Sequence, residues 1–245
     1  MTMSVSQLRV HKIESMGTLD GPGIRTVVFL QGCLLHCGYC HNADTWQATG
    51  GEWMETDALF DLIMHNRAYF KKRGGVTFSG GEPLLQAKAL LPLVKRLKEE
   101  DIHVAVDTSG AIWNDAVEAL FPYIDLVLLD VKHTNALAYS ALTGGRLSHT
   151  ILFLERLKEA AKPYWIRQVI IAGITDSPLQ VKILDALTAS PFREKIELLP
   201  YHNMGEHKWS PETLPFKIVA HETSDEVIEE LYKAIGVTND AESTI

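Results

Sequence analysis

Short apolar runs alternate with longer amphipathic stretches along most of this chain. The apolar runs occupy residues 26–31, 76–78, 102–107, 125–130, 165–171 and 196–200. Each is rich in Val, Ile, Leu or Phe with little polar alternation, the pattern of a strand buried on both faces. Between them, apolar positions recur with helical spacing. Thr56 is placed to cap a helix carrying Leu59, Phe60, Ile63 and Phe70. Residues 86–100 put Leu90, Leu91, Val94 and Leu97 on one stripe, and 150–161, 179–189 and 225–235 repeat the spacing. Strand, helix, strand in this order predicts a parallel α/β sheet with right-handed crossovers, either open and doubly wound or an incomplete (β/α) barrel. Residues 8–14 alternate and are expected to pair with 26–31, giving an edge hairpin over about 8–31. A C-terminal helix is expected over about 224–236. With no linker, repeat or low-complexity segment, the chain reads as one domain, 1–245.

Polar residues gather where the predicted strands end. Cys33 follows the first, Ser79-Gly80-Gly81-Glu82 the second, Asp107-Thr108 end the third, Asp130 and Lys132 the fourth, and Tyr201-His202 follow the sixth. C-terminal ends of parallel strands share one face, where such folds bind ligands. Composition narrows the partners. The net charge of −8 gives no basic face for nucleic acid or a membrane surface. No apolar run approaches the ~18 residues of a membrane span. Residues 1–17 have no apolar core, so a cytoplasmic protein is expected.

All three cysteines fall in one stretch, Cys33, Cys37 and Cys40, spaced C-x3-C-x2-C. Disulfide frameworks spread their cysteines along the chain, so one is excluded. Three buried structural thiols so close together would be an improbable coincidence. Structural zinc takes two separated ligand pairs, and there is no second pair beside His36 and His41. Cys37-Gly38-Tyr39-Cys40-His41 matches the c-type haem attachment spacing, which leaves Cys33 unexplained. A [4Fe–4S] cluster accounts for the odd count, since three thiolates leave one iron open to bind substrate.

The spacing C-x3-C-x2-C followed by Gly80-Gly81-Glu82 resembles the radical S-adenosylmethionine superfamily. Ser15-Met16-Gly17-Thr18-Leu19-Asp20-Gly21-Pro22-Gly23-Ile24-Arg25, running through Phe29 and Gln31-Gly32-Cys33 to His41-Asn42, resembles the signature of its glycyl-radical-enzyme activases. So do Leu198-Leu199-Pro200-Tyr201-His202, Gly205 and His207-Lys208-Trp209. Residues 41–75 contain no cysteine, so the ferredoxin-like insert of some activases is missing. The resemblance therefore implies the single-cluster kind, whose partner is pyruvate formate-lyase. It implies an incomplete (β/α)6 TIM-like barrel of parallel strands with outer helices, one [4Fe–4S] cluster, S-adenosyl-L-methionine and a flavodoxin-like or other low-potential electron donor. Two departures stand out. Ser109 occupies a position where Asn is expected in Asp107-Thr108-Ser109-Gly110, and the chain after Trp209 matches weakly.

The implied chemistry is reductive cleavage of S-adenosylmethionine to methionine and a 5′-deoxyadenosyl radical, which takes a hydrogen from a partner glycine. Cys33, Cys37 and Cys40 would hold the cluster. Gly80 and Gly81 let the backbone approach the methionine amine, since neither has a Cβ. Glu82 accepts from that amine or braces the turn. Tyr39 and His41 are expected against the adenine, and His202 against ribose or adenine. Asp107, Thr108 and Asp130 imply a monovalent cation site beside the cofactor carboxylate, with Val131 and Lys132 adjoining it. Arg167 lies within an apolar strand and needs an anionic partner, which we expect in the cofactor or partner-glycine region. The competing readings are a cluster or zinc module without catalysis, and a single-cluster enzyme acting on another glycyl radical enzyme or on a small molecule.

Overall fold

The computed structural model describes residues 6–237. Eight strands form one sheet in the order β3-β1-β2-β4-β5-β6-β7-β8. They are β1 (Gln7–Gly17), β2 (Arg25–Leu30), β3 (Glu52–Glu55), β4 (Gly75–Gly80), β5 (His103–Thr108), β6 (Leu126–Asp130), β7 (Tyr164–Ile170) and β8 (Arg193–Pro200). The six strands from β2 to β8 run parallel in sequence order, as the six apolar runs predict. The expected hairpin is present, with β1 antiparallel to β2. A strand the pattern did not show, β3, pairs outside β1. Among the described strands the sheet does not close, leaving β3 and β8 as edges.

A two-residue alternation hides inside the apolar runs. Val28, Leu30, Val76, Phe78, Val104, Val106, Val127, Leu129, Ile166, Ile196 and Leu198 belong to one core with the helices. The intervening positions point inward. Ala105, Leu126, Leu128 and Trp165 fill one end of the barrel, while Ser79, Asp107, Asp130 and Arg167 lie one pleat repeat further along. Alternation across a strand thus sorts packing to one face and chemistry to the other.

The helices are α1 (Thr56–His65), α2 (Arg67–Phe70), α3 (Ala87–Glu99), α4 (Asp115–Leu120), α5 (Ala136–Thr143), α6 (Leu147–Glu159), α7 (Pro178–Thr188) and α8 (Asp225–Ala234). Three details differ from the sequence reading. Thr56 is the first residue of α1 rather than its cap; Glu55, with extended backbone, takes the cap position, and the Thr56 amide donates to the Ser6 carbonyl. Phe70 sits on the separate α2. On α3 the buried stripe is Leu90, Leu93, Val94 and Leu97, with Leu91 half-buried at its margin.

At the end of the barrel opposite Cys33, Arg25 is fully buried, and among the described residues no carboxylate pairs with it. Its Nε donates to Thr77 Oγ1 at 2.6 Å, and its terminal nitrogens donate to the Pro22 and Val76 carbonyls at 2.9 and 2.6 Å. Burial lowers its pKa to about 10, so it stays charged. One terminal nitrogen lies 3.1 Å from His103 Nδ1, which must therefore accept. Burial first, and Arg25 second, push His103 down to about 4, while Asp125 pulls it up and Lys98 pushes it down. Between the unfolded value near 6.5 and this folded value, the unfolded chain binds the extra proton. Stability is therefore expected to fall as pH drops from about 6.5 to 4. In urea melts, His103→Gln should remove about 1–2 kcal/mol of that dependence; an unchanged slope would contradict the assignment.

Candidate active site

The segment after β2 carries the cysteines and is pinned by its backbone. The Gly32 and Cys33 amides donate to the Thr45 and Trp46 carbonyls at 2.7 and 3.2 Å. The His36 and Gly38 amides donate to the Thr143 and Leu142 carbonyls at 2.8 and 2.9 Å. Those two carbonyls end α5 and have no partner within their own helix, so the cysteine segment completes the helix terminus. The second glycine pair locks onto the same segment. Gly80 has φ +114°, and a Cβ on Gly81 would stand 2.1 Å from the Gly32 carbonyl oxygen. The Glu82 amide donates to that oxygen at 2.7 Å.

Cys33, Cys37 and Cys40 line one cavity of about 210 Å³ together with Tyr39, His41, Gly80, Gly81, Asp107, Thr108, Asp130, Lys132 and Arg167. Four of the five strand ends named from the sequence supply this lining; the fifth, Tyr201-His202 after β8, does not, and Arg167 of β7 enters instead. Three of the expected residues stand outside the lining. Val131 packs with the helices, its amide donating to the Arg167 carbonyl and its own carbonyl accepting from Gln168. Glu82 is buried beneath the glycines and accepts from Thr108 Oγ1 at 2.7 Å, Ser109 Oγ at 2.6 Å and the Ser109 and Leu84 amides at 3.1 and 3.2 Å. It braces the turn, and Ser109, the departure noted above, supplies one of the braces. Burial raises its pKa while these four donors oppose the rise.

His202 stacks on His41 with ring centroids 4.0 Å apart. His41 Nε2–H donates to the His202 carbonyl at 2.8 Å, which leaves His41 Nδ1 free to accept. Burial and the neighbouring His202 keep the His41 pKa low.

Arg167 finds its anions within the chain. It lies 3.6 Å from Asp20, 3.2 Å from Asp107 and 3.3 Å from Glu197. The Glu197 contact is an ion pair without hydrogen-bond alignment, leaving both atoms unbonded. Burial pushes Asp107 up to about 7 against the pull of Arg167. Its Oδ2 accepts from Ser79 at 2.9 Å, whereas Oδ1 has no hydrogen-bond partner among the described residues. Asp130 pairs with Lys132, whose ammonium is likewise buried. The sequence reading missed Asp20 and Glu197 as members of this site. Asp20 was quoted in the signature, but nothing local to it indicates a contact with β7.

The donor set fits an iron–sulfur cluster. Among the described residues no three His, Cys, Asp or Glu side chains converge tightly enough for a single ion, yet three thiols share a cavity wall. Polynuclear clusters need that wider spacing. Burial pushes Cys33 up to about 12 and Cys37 higher still. Such thiols become thiolates only when metal cations compensate their charge. Tyr39 Oη, Asp107 Oδ1 and His202 Nδ1 are buried polar atoms without partners, which fits a polar ligand beside the cluster.

Comparison with known proteins agrees. Residues 19–150 match the family described as 4Fe-4S single cluster domain. A radical SAM methyltransferase from Sphaerobacter thermophilus, 18% identical, shares the fold over 87% of this chain and 65% of its own, with a TM-score of 0.61. Fold, thiols and family match together define a single-cluster iron–sulfur protein with the radical S-adenosylmethionine barrel. The pyruvate formate-lyase-activating enzyme of Clostridium pasteurianum is 42% identical over 89% of this chain and 92% of its own length. That of Staphylococcus epidermidis is 39% identical over 92% and 94%. A domain of the pyruvate-formate lyase-activating enzyme from Bacteroides vulgatus, 29% identical, superposes over 66% of this chain and 92% of its own with a TM-score of 0.55. The chain belongs to the pyruvate formate-lyase-activating enzyme family.

Proposed function

We propose that this protein activates pyruvate formate-lyase by generating a glycyl radical on it, in the cytoplasm and without oxygen, drawing electrons from a flavodoxin-like or other low-potential donor. The observation that carries the reading is the shared cavity of Cys33, Cys37, Cys40 and Gly80-Gly81 in a chain of this family. When bound, the cluster and S-adenosyl-L-methionine supply one-electron cleavage of the S–C5′ bond to methionine and a 5′-deoxyadenosyl radical, which takes a glycine Cα hydrogen. The three thiols would hold the cluster. Gly80 and Gly81 would offer bare backbone to the methionine amine, with Glu82 fixing them in place. Tyr39, His41 and His202 would contact the adenosine. Lys132 would serve the cofactor carboxylate, and Asp107, Thr108 and Asp130 would hold a monovalent cation. The free Asp107 Oδ1 supports that last assignment.

The unclosed barrel supports a protein substrate. A second cavity of about 940 Å³ runs along β8 to the end of the barrel where Pro22 and His103 stand, and Leu199 lines both cavities. Among the described residues no helix is long and apolar enough to cross a membrane. Isotope transfer tests the reaction. Pyruvate formate-lyase deuterated at its glycines should pass deuterium to 5′-deoxyadenosine when mixed with this protein and S-adenosylmethionine. 5′-Deoxyadenosine formed without deuterium would instead point to another substrate.

A further inference from the structure

Tyr139 and Thr150 are fully buried hydroxyl-bearing side chains, and neither lines the cysteine cavity. Tyr139 belongs to α5 and Thr150 to α6. Thr150 Oγ1 donates to the Ser109 carbonyl at 2.9 Å and lies 3.0 Å from Tyr139 Oη. Its single proton is committed to Ser109, so the tyrosine hydroxyl is the donor to Thr150. Ser109 in turn donates its own hydroxyl to Glu82 at 2.6 Å. A line of hydrogen bonds therefore runs from α5 through Thr150 and Ser109 to the carboxylate beneath the Gly80-Gly81 turn.

The other end of this line is the cysteine segment. Tyr139 stands one helical turn before Leu142 and Thr143, whose carbonyls accept from the Gly38 and His36 amides. Its own carbonyl accepts from Thr143 Oγ1 at 2.7 Å. Just beyond the helix, Gly145 packs against Leu35 so closely that a Cβ would stand 2.4 Å from that side chain. The glycine turn is bonded directly to the Cys33 end of the segment, through the Glu82 amide and the Gly32 carbonyl. The line through Tyr139 reaches the Cys37 end. An apolar pair would pack α5 on α6 without the cost of burying two hydroxyls, whereas a satisfied polar chain fixes one arrangement.

We infer that Tyr139 and Thr150 are positioning residues for S-adenosylmethionine, their hydrogen-bonded line holding the Gly80-Gly81 turn in register with the Cys37 end of the cluster-binding segment. The inference rests on the proposed function. A cofactor bound to the open iron and to the glycine backbone at once needs both held at one separation. Both hydroxyls act through Ser109 and Glu82 and touch no reacting group.

The test is calorimetric titration of S-adenosylmethionine into cluster-loaded, oxidised protein, with a thermal melt of each variant. Thr150→Val and Tyr139→Phe should each bind the cofactor about fivefold more weakly, as expected for loss of one buried hydrogen bond. Thr150→Ser, which keeps the hydroxyl, should bind as wild type. Tyr164→Phe is the matched control. That hydroxyl is equally buried and donates to the Thr188 carbonyl at 2.8 Å, at the start of β7 and away from the cavity. It should lower the melting temperature comparably and leave the Kd unchanged. Wild-type affinity in Thr150→Val and Tyr139→Phe, or equal weakening in Tyr164→Phe, would overturn the inference and leave the proposed function standing. Wild type that carries four irons yet binds no S-adenosylmethionine would overturn both. Should Thr150→Val fail to fold, Tyr139→Phe decides, and a wild-type Kd in it overturns the inference.

Discussion

Cys37→Ala is expected to abolish glycyl-radical formation while leaving the protein folded. The thiol is buried beside Leu35 and Tyr39, and trimming it to a methyl leaves a small gap worth about 1 kcal/mol. The cluster loses far more. With two protein thiolates in place of three, two of the four irons lack a protein ligand instead of one, and the iron-binding chemistry of the cavity fails with it. Iron analysis after reconstitution should fall well below four per chain, with a thermal midpoint within a few degrees of wild type. A variant that unfolds but retains partial activity when rescued by low temperature would instead mark Cys37 as a structural thiol.

Arg167→Met should be the most destabilising single substitution at the site. The guanidinium faces Asp20, Asp107 and Glu197, and it also donates to the Leu19 carbonyl at 3.4 Å. Removing it leaves three carboxylates of low exposure without their shared cation, a loss of about 3–5 kcal/mol at neutral pH. It also frees the segment between β1 and β2, which Arg167 ties to the barrel wall. The sign with pH is defined. Burial already raises Asp20 and Asp107, and without Arg167 both rise further. The folded variant then binds more protons than the unfolded chain, so it regains stability as pH falls from 7 toward 5. Denaturant melts across that range check this, and a deficit that does not shrink on acidification would contradict the electrostatic account.

The parallel strands were legible because each carries a short run rich in Val, Ile, Leu or Phe. β3 was not, because Glu52–Glu55 is an outer strand with exposed and half-exposed side chains and no apolar stripe. α4 and α5 were missed although each has an Asn cap in the sequence. Asn114 and Asn135 accept from two amides apiece at the helix starts, a signal that could have found both. At the site, the cysteines and strand-end carboxylates were legible from spacing and from strand ends sharing one face. Pairings across the fold were not. His41 and His202 stack although far apart in the chain, and Arg167 draws Asp20 and Glu197 from separate segments. Arg167 was rightly read as needing an anion. Which anion depends on how the β1–β2 connection folds back over the barrel, and no local pattern records that.

The measurement that tests the central claim most directly is electron paramagnetic resonance on anaerobically reconstituted, reduced protein mixed with S-adenosylmethionine and pyruvate formate-lyase. The cluster signal before mixing serves as the internal control. The account predicts a glycyl-radical doublet on pyruvate formate-lyase, appearing as the cluster signal decays and absent when Cys37→Ala replaces the wild type. An intact cluster that cleaves S-adenosylmethionine yet yields no doublet would contradict the proposed partner.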